Sequence, residues 1–162
     1  MIQSDSERKL MRRKDKEITD IDEIESIIKK AARCCIGLVD DGEPYLVPVC
    51  FGYERKSLYF HSAPEGRKVD IIKRNNRVCF EIDTDLQVMK SEKSCDWSMK
   101  YRSVVGTGKA HILESDEDKA HGLNMIMRQY TEKDLDLPQP VPESVLVARI
   151  DIESITGKKS GY

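Results

Sequence analysis

Between Cys34 and Ser62 the chain alternates short apolar runs with turn residues too quickly for any helix to form. Cys34-Cys35-Ile36-Gly37-Leu38-Val39 is one apolar run. It ends at Asp40-Asp41-Gly42-Glu43-Pro44, where Asp-Gly supplies the positive φ that a tight reversal requires. Tyr45 to Tyr53 is a second run, Glu54-Arg55-Lys56 a second turn, and Ser57 to Ser62 a third run. Strands joined by connections this short pair antiparallel. The pattern returns at Arg77 to Asp83, at Met99 to Leu113 and at Ser144 to Ile155. Gly106 and Gly108 would let the long fifth strand bend.

Helices fill the gaps. Asp20 and Glu23 stand in capping-box positions ahead of Ile21, Ile24, Ile27 and Ile28, which predicts a helix over 20–32. A second is expected over 65–75, closed by Asn75-Asn76, and a third after Ser115. Thr84 to Asp96 reads as a loop, and Leu135 to Pro142 as irregular. The order α-β-β-β-α-β-β-α-β gives a mainly β fold with minor α. It is a six-stranded antiparallel barrel with flanking helices.

The 162 residues suffice for one domain with a core, expected over 18–157 between a charged arm (1–17) and a short tail (158–162). Charged residues make up 35% of the chain but the net charge is only −2, and no face is rich in both cations and aromatics, so no nucleic-acid partner is expected. No apolar run approaches the ~20 residues of a membrane span, and the polar start lacks a signal-peptide core. A cytoplasmic protein without a membrane partner is the expectation. Five cysteines, an odd number without a C-x-x-C pair, read as reduced and mostly buried thiols. His61, His111 and His121 lack ligand spacing, so no metal site is expected. The G-x-G-x-x-G and G-x-x-x-x-G-K-[ST] signatures are absent.

Three segments can carry chemistry. Phe60-His61-Ser62-Ala63-Pro64-Glu65-Gly66-Arg67-Lys68 runs from a strand into a helix start, offering a hydroxyl, backbone N–H groups and two cations to a phosphate. The alternative is a solvated helix start. Val47-Pro48-Val49-Cys50-Phe51 is a flat apolar strand in which Pro48 lacks a donor, fit for an edge, a bulge or the side of a planar ring. The alternative is plain core. Trp97, Tyr101, Arg102 and Ser103 gather hydrogen-bonding aromatics where a planar ligand or a second subunit could be buried. A tryptophan plugging one end of a barrel is the alternative.

Together these segments resemble the pyridoxamine 5′-phosphate oxidase-like split-barrel flavoproteins, in particular their nitroimidazole-resistance branch. The resemblance runs from Met11 to about Lys158. It rests on Leu-Val-Asp-Asp-Gly at 38–42, Phe-His-Ser-Ala-Pro-Glu-Gly-Arg-Lys at 60–68, Val-Cys-Phe-Glu at 78–81 and Trp-Ser-Met-Lys-Tyr-Arg-Ser-Val at 97–104. It implies a split β-barrel homodimer with FMN at the interface. His61, Ser62, Arg67 and Lys68 would hold the phosphate and ribityl end, and Val47 to Phe51 would run beside the isoalloxazine. Tyr101, Arg102 and Ser103 would come from the partner chain or the interface, with Trp97 as a further cofactor contact. His61 could supply a proton or only orient the cofactor. The implied activity is an FMN-dependent reduction of a small electrophile such as a nitroaromatic or quinone. The alternatives are a non-catalytic flavin-binding or redox-sensing protein, or a split-barrel binder of haem or deazaflavin.

Overall fold

The computed structural model describes residues 13–131 and 136–162. Most of the expected N-terminal arm, residues 1–12, lies outside them. Eight strands form one antiparallel sheet: β1 (Glu17–Ile18), β2 (Cys34–Asp40), β3 (Glu43–Val49), β4 (Phe51–Glu54), β5 (Ser57–Ser62), β6 (Arg77–Met89), β7 (Ser98–Ile112) and β8 (Leu146–Ser160). The spatial order is β3-β2-β6-β7-β8-β5-β4, with β1 added to β8. Three helices flank it: α1 (Ile21–Lys30), α2 (Arg67–Arg74) and α3 (Asp116–Tyr130).

The two ends of that order, β3 and β4, are neighbours in sequence, separated only by Cys50. A flat sheet could not place adjacent residues at opposite edges, so this one curls until its edges meet at Cys50. From there they diverge, because β3 pairs with β2 while β4 pairs with β5. The result is a barrel with an unclosed seam. Pro48 sits on the edge strand β3, opposite Cys35, where a missing N–H is tolerated.

Six strands were expected and eight are present. The run Tyr45–Tyr53 is broken at Cys50 as the chain crosses the seam. Glu17–Ile18 adds a short strand against Gly157 and Lys158. The expected loop after Thr84 is instead strand up to Met89, with a bulge between Thr84 and Gln87 where Asp85 adopts φ 56°. Cross-strand bonds to β7 hold that polar stretch extended. β8 likewise continues to Ser160, past the strand end expected at Ile155, because Tyr101 pairs with Ser160.

Alternation sorts each strand into two faces. Ile36, Phe80, Ile82, Val104 and Ile150 are buried inside the barrel with Ile24, Ile27 and Ile28 of α1 and Val69, Ile71 and Ile72 of α2. Gly106 makes room there, since a Cβ would lie 2.3 Å from the Phe80 ring. A smaller cluster of Tyr59, Leu113, Met125, Ile126 and Val147 sits under α3 on the outside. The helix starts are capped as expected: Asp20 accepts the Asp22 N–H and Ser115 that of Asp118. Glu23 does not complete the capping box but pairs with Lys159. Alternation also corrects the cysteine expectation. All five are free, yet only Cys34 is buried; Cys35 is half-exposed and Cys50, Cys79 and Cys95 are exposed. No helix among the described residues is long and apolar enough to cross a membrane.

Candidate functional site

Phe51 pairs with Phe60, so the start of β4 lies beside the end of β5 at the point where Cys50 leaves the seam. Beyond that rung β5 keeps only β8 as partner, through His61 opposite Val147 and Ser62 opposite Leu146. The side of β5 facing the seam is thus free of ladder bonds at His61 and Ser62. The segments 47–51 and 60–68 therefore flank one opening.

At that opening the chain turns through Gly66, whose φ of 128° favours glycine, and enters α2. No side chain caps this helix. The Gly66 carbonyl accepts the N–H groups of Val69 and Asp70, leaving those of Arg67 and Lys68 without an acceptor among the described residues. Free N–H groups at a helix start favour an anion. Lys68 is half-buried and makes no hydrogen bond or ion pair to any described residue. Arg67 is engaged differently: Nε donates to Asp40 Oδ2 at 2.9 Å and the guanidinium lies 4.6 Å from the centre of the Tyr45 ring. Ser62 donates to the Ala63 carbonyl at 2.6 Å, and His61 is exposed without a described partner.

Val47 and Val49 point toward the core and are half-buried, whereas Pro48 and Cys50 are exposed on the other face. Phe51 is buried, its N–H donating to Tyr130 Oη at 3.0 Å while Tyr130 donates to the Ala32 carbonyl. This clamp closes the seam at one end.

The remaining expected residues lie elsewhere. Ile112 pairs with Ala148, whereas Tyr101 pairs with Ser160. Eleven residues of β7, roughly 36 Å of strand, separate the two rungs. No hydrogen bond, ion pair or ring contact among the described residues joins 60–68 to 97–103. Trp97 is half-exposed, its Nε1 donating to the Ser91 carbonyl at 2.8 Å. Tyr101 and Ser103 face outward beside Lys158. Arg102 faces the other way, bonded to Asp85 at 2.8 Å and stacked 4.0 Å from the centre of the Tyr162 ring, which leaves little of it for a ligand. Arg102 and Lys30 together hold the Asp85 carboxyl below its usual range.

The outer face between these regions is poor in charge. One row across the sheet reads Leu46, Gly37, Cys79, Thr107, Ser154, and the next Pro48, Cys35, Glu81, Val105, Thr156. A concavity of about 500 Å³ opens there between Val39, Leu46, Cys79 and Thr107. Glu81 is the only carboxylate in those rows. Burial and the neighbouring Asp83 push its pKa up. Among the described residues no group of His, Cys, Asp and Glu could hold a metal ion.

A single curled sheet with an open seam, a helix start at the opening and a low-charge outer face define the split-barrel class. The chain belongs to the pyridoxamine 5′-phosphate oxidase family, whose model matches residues 20–159. Among solved structures it is similar to a candidate 5-nitroimidazole antibiotic resistance protein from Bacteroides thetaiotaomicron. The two are 38% identical, with 88% of this chain and 86% of that one covered and a TM-score of 0.78. The fold also matches the flavocytochrome Anf3 from Azotobacter vinelandii, at 18% identity, 94% and 73% coverage and TM-score 0.79. It further matches an FAD-binding protein from Mesorhizobium loti, at 19% identity, 90% and 97% coverage and TM-score 0.64. A comparison with curated proteins gives no match.

Proposed function

We propose that the protein is a flavoprotein that holds FMN between two copies of the chain and passes electrons from a reduced donor to a small electrophile, a nitroaromatic or a quinone. The observation that carries the reading is the start of α2. A half-buried, partnerless Lys68 sits beside two unused N–H groups, at an opening flanked by an edge strand. These donors suit a phosphate monoester. The names of two similar structures, a flavocytochrome and an FAD-binding protein, support a flavin. The name of a third, a candidate nitroimidazole resistance protein, supports the electrophile.

The bound flavin would supply the hydride and electron chemistry. The chain's own part is to bind and orient it. Lys68 and the α2 amides neutralise the phosphate, Ser62 turns its hydroxyl from the Ala63 carbonyl to the ligand, and the exposed edges of Pro48 and Cys50 give the ring a flat wall. His61, free of partners, orients the ribityl end and is placed to hold a proton on its imidazole.

The separation of the segments supports a second copy. Trp97, Tyr101 and Ser103 reach the same ligand only from another chain, and the low-charge outer face is what two copies would bury against each other. An absorption spectrum with mass analysis of the co-purifying ligand tests the reading. FMN bands and an FMN mass are expected. Protein that is colourless and stays so after FMN is added contradicts it, and a Soret band or a deazaflavin mass replaces the ligand. Bound FMN that no donor reduces faster than free FMN leaves a flavin carrier in place of an oxidoreductase.

A further inference from the structure

Arg67 and Lys68 are adjacent cations, but the structure uses them differently, and Asp40 is the reason. The Asp40 carboxylate ends β2 and accepts Nε of Arg67 at 2.9 Å and Nη2 of Arg74. Those arginines are seven residues apart, two turns along one face of α2. One carboxylate therefore fastens both ends of the helix to the β2–β3 hairpin. Tyr45, on the second strand of that hairpin, supports Arg67 from beneath at 4.6 Å. The Asp40 side chain is 19% exposed, against 55% for Arg67 and 56% for Arg74.

Such a fastening matters for this helix in particular. It has eight residues and no side-chain cap, and two cations in its first turn oppose the helix dipole. Alone it would be marginal, so tertiary contacts decide where its amino end points. Three buried residues, Val69, Ile71 and Ile72, set its depth. The Asp40 clamp sets its rotation and its reach over the hairpin.

We infer that Asp40 is a positioning residue for the phosphate site. It draws Arg67 away from the anion and holds α2 so that Lys68 and the first-turn amides meet the phosphate. This rests on the FMN reading above. The comparison of FMN with riboflavin, which has the ring and ribityl chain but no phosphate, isolates it.

The experiment measures dissociation constants for both flavins in the full chain, by quenching of flavin fluorescence, for wild type, Asp40→Asn, Asp40→Glu, Arg67→Ala and the double variant Asp40→Asn with Arg67→Ala. Asp40→Asn should weaken FMN about tenfold and riboflavin by less than about twofold. Asp40→Glu should restore most of the FMN affinity. Arg67→Ala removes only half of the clamp and should weaken FMN selectively but by less than Asp40→Asn, and the double variant should be no worse than Asp40→Asn alone, whose clamp is already gone. FMN affinity that is unchanged or raised in Asp40→Asn would overturn the inference, as would additive losses in the double variant, which make Arg67 a direct ligand. Arg74→Gln removes the other half of the clamp, so if Asp40→Asn does not fold, a loss selective for FMN is still expected there, and equal losses for the two flavins would overturn the inference. Wild-type protein that binds neither flavin defeats the FMN reading itself, before any variant is made.

Discussion

The start of α2 and the β6–β7 hairpin solve opposite problems. At α2, side chains are fixed by contacts within the chain: Asp40 holds two arginines, Tyr45 backs one of them, and three apolar residues anchor the helix. What is left over there is polar, a lysine and two amides. At the hairpin the leftover is apolar. Leu86 is 56% exposed, Val88 52%, Trp97 50% and Met99 47%. Single exposed apolar residues need no explanation, but four on one arm do. One end of the molecule is thus finished internally except for an anion, and the other is finished only by something that covers apolar surface. The proposed flavin, held between two copies of the chain, would supply both.

The comparison breaks most visibly at the outer face that lies between the two ends. Val105→Glu places a second carboxylate directly opposite Glu81 in the middle of it. Light scattering should show a monomer, and FMN should be lost with the dimer. A dimer that retains FMN would show that the interface lies elsewhere. Next in size is Lys68→Ala. Loss of a charge-assisted bond of about 1.5–3 kcal/mol corresponds to roughly 10- to 150-fold weaker FMN binding, and the salt dependence of that binding should flatten. Unchanged affinity in a titration removes Lys68 from the site.

Trp97→Ala should be milder. Half of its surface is already exposed, so the melting temperature should stay within about 2 °C while FMN affinity falls by a factor of a few. Equal losses of stability and affinity would make it a plug in the fold instead.

The smallest effect concerns pH. Burial and then Asp83 raise the Glu81 pKa above its ordinary 4.5, so the native protein binds this proton more readily than the unfolded chain. The charged form therefore opposes folding at neutral pH, and that opposition fades as pH falls through the raised value. Denaturant titrations should show Glu81→Gln more stable than wild type at pH 7, with the gain shrinking as the pH is lowered, and no gain at pH 7 would contradict this. Asp85, held low by Arg102 and Lys30, keeps its ion pairs across that window and does not mask the effect.

Much of the barrel was legible because local rules decide it. Asp-Gly at 41–42 and the caps at Asp20 and Ser115 mark reversals and helix starts, and alternation marks the strands. The break at Cys50 was not legible. Nothing in Val-Pro-Val-Cys-Phe reveals that its two halves join opposite edges of one sheet, since sheet closure is a long-range event. The polar stretch from Thr84 to Met89 misled for the related reason that only its pairing with β7 makes it strand. At the site, Pro48 suited an edge, a bulge or a ring contact, and it lies on the edge strand β3. The different uses of Arg67 and Lys68 were hidden, because the deciding carboxylate lies 27 residues from Arg67. In the sequence Asp40 stands only in the turn and in the Leu-Val-Asp-Asp-Gly motif, with nothing to link it to Arg67. Arg102 carries the same lesson: in sequence it belongs with Tyr101 and Ser103, but alternation turns it toward Asp85.

Mixing two damaged chains tests most directly whether the site is shared between copies. Lys68→Ala spoils the phosphate end, and Trp97→Ala with Tyr101→Ala spoils the hairpin end. Refolded together in equal amounts, they should form mixed dimers in which one of the two sites has both ends intact. FMN binding of near wild-type affinity should then reappear at about a quarter of all sites, although neither variant shows it alone. If the mixture binds FMN no better than the average of the two variants, each site is built within one chain and the shared-site account is wrong.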